Sequence, residues 1–173
     1  MSFEEIRVIT VVYLAVFLPL FIYFINKSKL PNWIPTFYIV GVAVCALGWE
    51  LWFTYGWIDG YSVDIRRSEV LNTWLPKNIN WLMNSMGDAG SVLLGGVWLM
   101  WLTHRKDATI FKQWRWSAFT VLFFWCISQN ILVEMFLYHD QLADGKPLSW
   151  APLSPLGPYF NPILFEYNDR TIM

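Results

Sequence analysis

The sequence predicts an all-α protein, a polytopic membrane helix bundle with about four transmembrane helices, and two observations support this prediction. Hydrophobic residues make up 56% of the 173-residue chain and charged residues only 14%, and the charges cluster between long apolar runs. This distribution is typical of chains that fold in a bilayer. Four of the runs are long enough to cross about 30 Å of hydrocarbon at about 1.5 Å per helical residue. They cover residues 6–25, 34–56, 79–103 and 118–138.

The whole chain, residues 1–173, is interpreted as a single membrane domain because no internal repeat or low-complexity linker interrupts it. The first apolar run follows an acidic N-terminus and contains no small-residue cleavage site, so we expect a retained helix and not a signal peptide. Residues 139–173 are rich in proline but also contain aromatic and aliphatic residues, in which disordered tails are poor. We therefore expect an ordered C-terminal cap lying against the helix ends at the membrane interface.

The loops that follow the first and third predicted helices carry six basic residues and a single acid, Asp107. The basic residues are Lys27, Lys29, Arg105, Lys106, Lys112 and Arg115. Lysine and arginine near helix ends set membrane orientation, so we place these two loops in the cytoplasm and both termini on the opposite side. The net charge of −1 provides no basic surface that would neutralise phosphates, and no nucleic-acid partner is expected.

Acidic residues interrupt three of the predicted spans: Glu50 in the second, Asp88 in the third and Glu134 in the fourth. A charged carboxylate in hydrocarbon costs at least about 2.5–3.5 kcal/mol on insertion scales, so each is expected to face a protein interior or a wet cavity. Burial favours the neutral form of a carboxyl group, and a neutral acid can donate a proton. These three acids are the predicted catalytic residues.

Amide side chains accompany the acids at helical spacing. Asn80, Asn84 and Asp88 recur every four residues and therefore share one face of the third helix, and Asn130 and Glu134 repeat the spacing in the fourth. In the predicted topology they lie between the midplane and the noncytoplasmic surface, which indicates a polar-lined pocket. The predicted substrate-binding residues are Asn80, Asn84, Asn130, Trp49, Tyr138 and His139.

The same polar residues also fit a purely structural network. In that alternative they pair with one another, or with Arg66, Arg67 or His139, and hold the helices together through interhelical hydrogen bonds. Gly87, Ser91 and Gly95 form a ridge of small residues on the third helix, interpreted as a packing surface with a homo-oligomer contact as the alternative.

We predict no cofactor and no metal, because two histidines cannot supply the ligands of a di-iron membrane oxygenase and no metalloprotease motif is present. A carboxylate-rich metal site is the minor alternative. Its ligands would be Glu50, Asp88, Glu134 and His139.

The segment Ala46-Leu47-Gly48-Trp49-Glu50-Leu51 is similar to part of the small integral-membrane terpene cyclases of meroterpenoid pathways, where a Trp-Glu pair occurs in the second span. The resemblance covers about one helix. It implies that Glu50 protonates an isoprenoid epoxide or alkene and that aromatic side chains shelter the cation. That family has more than four spans and a second acid in its last helix, for which this sequence offers no clear counterpart.

The sequence is compatible with three functions. The first is an integral membrane enzyme that acts on a hydrophobic small-molecule substrate, with acid-initiated isoprenoid cyclisation or isomerisation as the reaction. The second is a noncatalytic subunit of a larger membrane protein complex, docked on its partners through the C-terminal cap. The third, a proton-coupled carrier, ranks last because it requires carboxylates at the midplane and paired halves of the chain.

Overall fold

The computed structural model describes residues 1–56, 62–132, 165–167 and 170–172, with only the backbone described for Trp52, Asn130 and the last two stretches. The α-helices are α1 (Phe3–Asn26), α2 (Ile34–Leu47), α3 (Trp49–Tyr55), α4 (Val63–Arg66), α5 (Glu69–Trp74), α6 (Lys77–Asp88), α7 (Gly95–Thr103) and α8 (Trp116–Leu132). A π-helix spans Ala89–Leu94, and 3₁₀ turns span Lys27–Lys29 and Ala108–Phe111. The strands β1 (Phe165–Tyr167) and β2 (Arg170–Ile172) pair antiparallel.

The predicted all-α class is confirmed, since the two three-residue strands add only a short hairpin to a helical chain. The first predicted helix corresponds to α1. A capping box starts this helix, because the Ser2 hydroxyl accepts from the Glu5 amide at 3.2 Å and the Glu5 carboxylate accepts from the Ser2 amide at 2.6 Å. Buried valines at Val8, Val12 and Val16 mark the face of α1 that packs inward.

The second predicted helix is corrected, because the structure divides residues 34–56 into α2 and α3. The division lies at Gly48, whose ψ of −121° is far from helical, and the two helices meet at an angle of 41°. A methyl group added at Gly48 would lie 2.7 Å from the Val44 carbonyl oxygen, which explains why glycine occupies the bend. The bend sets the direction in which α3 leaves α2.

Residues 77–103 run as one helical rod formed by α6, the π-helix and α7. The π-helix is an unpredicted feature in the middle of the third predicted helix, and such segments are frequent at functional sites. The connection between the second and third predicted helices, residues 57–78, contains the short helices α4 and α5. Leu71 and Leu75 pack against Val8 and Val12, so this connection contacts the N-terminal half of α1.

By length and composition, one helix among the described residues is able to cross a bilayer, and it covers Phe3–Lys29. The bent pair α2 and α3 makes a second candidate if both halves belong to one span. The apolar part of α8, Trp116–Gln129, is shorter. The described residues thus provide one or two candidate membrane spans, and the predicted four-span bundle is not confirmed by them.

Small residues of the central rod allow close helix packing. A methyl group added at Gly90 would lie 2.7 Å from the backbone carbonyl oxygen of Ala15, and one at Gly87 would lie 3.3 Å from the Ala15 side chain. A methyl group at Gly95 would lie 3.3 Å from the Trp125 indole. The predicted small-residue ridge therefore packs within the chain, against α1 at one end and α8 at the other.

Gly90→Ala should destabilise the bundle more than Gly87→Ala, since the first methyl group meets backbone and the second meets a side chain that can shift. Overpacking of this kind costs about 1–3 kcal/mol. Thermal unfolding of both variants in mild detergent measures the difference. Equal unfolding temperatures for the two variants would contradict the close contact between α1 and the π-helix.

Candidate functional site

A cavity of about 500 Å³ lies between α1, the central rod and α8, which is within the size range of small-molecule sites. Aliphatic side chains of α1 form much of its wall, and the indoles of Trp98 and Trp125 contribute to it. Carboxyl, amide and aliphatic hydroxyl groups interrupt this apolar lining at a few positions. These positions are Glu50, Asn84, Asp88, Ser91 and Gln129.

Glu50 is completely buried in the first turn of α3, directly after the bend at Gly48. Among the described residues, neither of its carboxyl oxygens has a hydrogen-bond partner. Asn84 lies beside the carboxyl group without forming a hydrogen bond of good geometry, and Asp88 is near enough to interact with it electrostatically. A buried carboxyl group without a hydrogen bond lowers the stability of the fold, so its presence on a cavity wall calls for a functional explanation.

Asp88 is half-buried at the end of α6, and its Oδ2 accepts a hydrogen bond from Trp49 Nε1 at 2.8 Å. This bond joins α3 to α6 and fixes the orientation of the Asp88 carboxyl group. Trp49, which was predicted to bind substrate, is not among the cavity-lining residues and instead positions Asp88. Glu50 therefore lines the cavity, whereas the adjacent Trp49 orients the Asp88 carboxyl group.

Asn80 does not line the cavity, although it was predicted to share the face of Asn84 and Asp88. It is completely buried, and its Oδ1 accepts from Arg67 Nη1 at 2.7 Å. Arg67 also donates to Asn72 Oδ1 at 2.8 Å and to the Leu75 carbonyl oxygen. The prediction of Asn80 as a pocket residue is corrected, because its amide oxygen accepts a hydrogen bond from the Arg67 guanidinium instead.

The two consecutive arginines of the 62–76 segment are both buried. Burial lowers the pKa of Arg67 to about 10, which leaves the guanidinium charged at neutral pH. Arg66 donates to the Phe53 carbonyl oxygen at 2.6 Å, and its guanidinium carbon lies 4.4 Å from the centre of the Phe53 ring. Arg66 also interacts electrostatically with Glu50, so the site includes a cation that the sequence suggested only as a structural partner.

Ser91, Trp125 and Gln129 form a hydrogen-bonded group on the cavity wall that the sequence did not indicate. Ser91 Oγ donates to the Gly87 carbonyl oxygen at 2.7 Å and accepts from Gln129 Nε2 at 3.0 Å. The Ser91 carbonyl oxygen accepts from Trp125 Nε1 at 2.9 Å. Trp125 and Gln129 are four residues apart in an apolar run, a spacing that places both on one helix face and that was available from the sequence.

The remaining predicted site residues lie outside what the structure describes. These are Glu134, Tyr138, His139 and the side chain of Asn130. Two of the three predicted catalytic acids, Glu50 and Asp88, meet at one cavity together with Asn84. Within the described ranges, no group of three or more His, Cys, Asp or Glu residues is placed to hold a metal ion.

Comparison of the chain with protein-family models, with curated proteins and with solved structures found no match. The geometry of the cavity therefore carries the functional argument.

Asn80→Ala should lower the free energy of unfolding by about 1–3 kcal/mol, because it removes the acceptor from a buried, charged Arg67. Asn84→Ala should lower the free energy of unfolding by a smaller amount, since Asn84 lines the cavity. Chemical or thermal unfolding of both variants in the same detergent compares them. If the Asn84 variant is as unstable as the Asn80 variant, the assignment of Asn80 to a structural role and of Asn84 to the cavity is contradicted.

Proposed function

We propose that this chain is an integral membrane enzyme that binds an apolar small molecule in the cavity and protonates it through Glu50. The observation that carries the proposal is a completely buried carboxyl group, without a hydrogen-bond partner among the described residues, on the wall of a largely apolar cavity. Buried ionisable groups in membrane helices are functional by default, because their insertion is costly. An apolar wall selects a lipid-soluble substrate.

The proposal includes four membrane-spanning segments: α1, the bent pair α2 and α3, the rod at 77–103 and α8. At about 1.5 Å per residue the rod is about 40 Å long, enough to cross the hydrocarbon core. Large apolar side chains are exposed on several of these segments, including Phe17, Phe21, Val44, Phe123 and Phe124. In water such surfaces would be an aggregation liability, whereas lipid tails solvate them. We also propose that the basic loops after α1 and α7 face the cytoplasm.

In the proposed reaction, the O–H bond of the protonated Glu50 carboxyl group breaks, its proton forms a C–H bond to one carbon of a substrate alkene, and Glu50 is left as a carboxylate. The π electrons supply that bond, and positive charge develops on the neighbouring carbon. Attack by a second alkene closes a ring. The resulting cation then loses a proton to Asp88, and return of this proton to Glu50 completes an isomerisation or cyclisation without any redox change.

The cavity contains groups suited to a cationic intermediate. The indoles of Trp98 and Trp125 line it, and aromatic faces stabilise a desolvated cation by about 2 kcal/mol or more. The Trp49 indole holds Asp88 in a fixed orientation at 2.8 Å. The resemblance of the Trp49-Glu50 segment to membrane terpene cyclases supports the same acid and an isoprenoid substrate.

The alternative of a noncatalytic subunit is supported by one specific observation, an exposed aromatic surface at the start of α8. Trp114, Trp116 and Phe119 form edge-to-face and tilted ring contacts with centroids 5.2–5.9 Å apart. Trp114 and Trp116 are 66% and 70% exposed, so they are free to contact either lipid or a partner protein. A stoichiometric partner after purification in mild detergent, with no lipid change in expressing cells, would favour this alternative.

Glu50→Gln should abolish the change in cellular lipids that expression of the wild-type chain produces. Removing a general acid lowers turnover by about 10²- to 10⁴-fold, while the near-isosteric amide keeps the cavity volume. Untargeted lipid analysis of cells expressing each variant, at matched protein levels, measures the change. The control is Glu69→Gln, which alters an exposed acid of α5 and should behave as wild type. A Glu50→Gln lipid profile identical to that of the wild type would remove Glu50 from the mechanism.

The proposed topology predicts which cysteine positions are labelled from each side of the membrane. In a background with Cys45→Ala and Cys126→Ala, Ser28→Cys and Gln113→Cys should react from the cytoplasmic side and Thr73→Cys from the opposite side. All three positions are exposed. Labelling of oriented vesicles with an impermeant maleimide tests this arrangement. Labelling of all three positions from one side would contradict the four-span topology.

A further inference from the structure

The orientation of the Gln129 side-chain amide is fixed by its neighbours. Ser91 Oγ uses its only proton to donate to the Gly87 carbonyl oxygen, so it acts as an acceptor toward Gln129. The amide nitrogen of Gln129 must therefore face Ser91, at 3.0 Å, and the amide oxygen must point elsewhere. These hydrogen bonds thus place the amide nitrogen at Ser91 and leave the amide oxygen, Oε1, as the end that Ser91 does not pair.

The remaining Oε1 of Gln129 is buried and has no hydrogen-bond donor among the described residues. The nearby indole of Trp125 does not serve it, because Trp125 Nε1 donates to the Ser91 carbonyl oxygen at 2.9 Å. A buried acceptor without a donor carries a penalty that a donor on a bound molecule would remove. Gln129 lines the same cavity as Glu50, so that donor would come from a molecule bound there.

Glu50 and Gln129 therefore both contribute polar groups to the cavity lining. A hydrocarbon would leave Gln129 Oε1 unpaired, and so would an ether, an ester, an epoxide or a quinone, because their oxygens only accept hydrogen bonds. An alcohol or a phenol donates one.

We propose that the cavity takes a hydroxylated isoprenoid, whose hydroxyl group donates a hydrogen bond to Gln129 Oε1 while its alkene lies at Glu50. This inference rests on the proposed function and names the substrate class within it. Gln129 is then a specificity-determining residue, which selects the hydroxyl-bearing substrate and takes no part in proton transfer.

Binding of three matched probes to the full chain in lipid nanodiscs tests the inference: farnesol, farnesyl methyl ether and the hydrocarbon farnesene. Quenching or enhancement of tryptophan fluorescence reports binding, because Trp98 and Trp125 line the cavity. Wild type should bind farnesol about tenfold more tightly than the methyl ether. Gln129→Met, which keeps side-chain length but removes the acceptor, should reduce farnesol affinity to that of the ether. Gln113→Met, at an exposed glutamine, should match wild type.

The outcomes separate this inference from the proposed function. Equal affinity of wild type for farnesol and its methyl ether, or an unchanged preference in Gln129→Met, overturns the role of Gln129 while leaving an apolar binding cavity in place. Failure of all three probes to bind overturns both proposals. If Gln129→Met does not fold, the comparison of alcohol and ether in the wild-type chain still decides the question.

Discussion

A carboxyl group buried without a hydrogen bond is the constraint around which the described part of this molecule is organised. Glu50 is inaccessible to solvent, and no hydrogen bond from the described residues reaches its oxygens. Arg66 contributes only an electrostatic interaction. Such a group lowers stability, and the proposed function accounts for it as a group that acts on a bound molecule. The cavity beside it provides room for that molecule.

Two departures from regular helix flank this carboxyl group. The bend at Gly48 ends α2 and places Trp49 and Glu50 in the first turn of α3. A hydrogen bond of 2.8 Å from Trp81 Nε1 to the Ala46 carbonyl oxygen ties the bend to α6. The π-helix begins at Ala89, directly after Asp88, and contains Ser91. Glu50, two residues after the bend, and Ser91, within the π-helix, both line the cavity. Irregular helical segments of this kind are frequent at functional sites.

The all-α class, the helical rod at 77–103 and the shared position of Glu50, Asn84 and Asp88 were predictable, because helical periodicity and the cost of buried charge follow from residue order. The bend at Gly48 was not predictable, since a single glycine in an apolar run does not specify a backbone angle. The place of Asn80 was not predictable either, because its partner Arg67 comes from a separate segment. Gln129 was passed over as one polar residue in an apolar run, and only the contact with Ser91 reveals its orientation.

Photoaffinity labelling tests most directly whether an apolar molecule occupies the cavity at Glu50. The full chain in membranes would be cross-linked with a diazirine-bearing isoprenoid and the modified residues mapped by mass spectrometry. A molecule bound in the cavity should place labels on the cavity side of α1, at Ala15, Pro19 and Ile22, and excess unlabelled isoprenoid should displace them. Labels confined to the outward residues Phe17 and Phe21, and insensitive to competition, would contradict binding in the cavity.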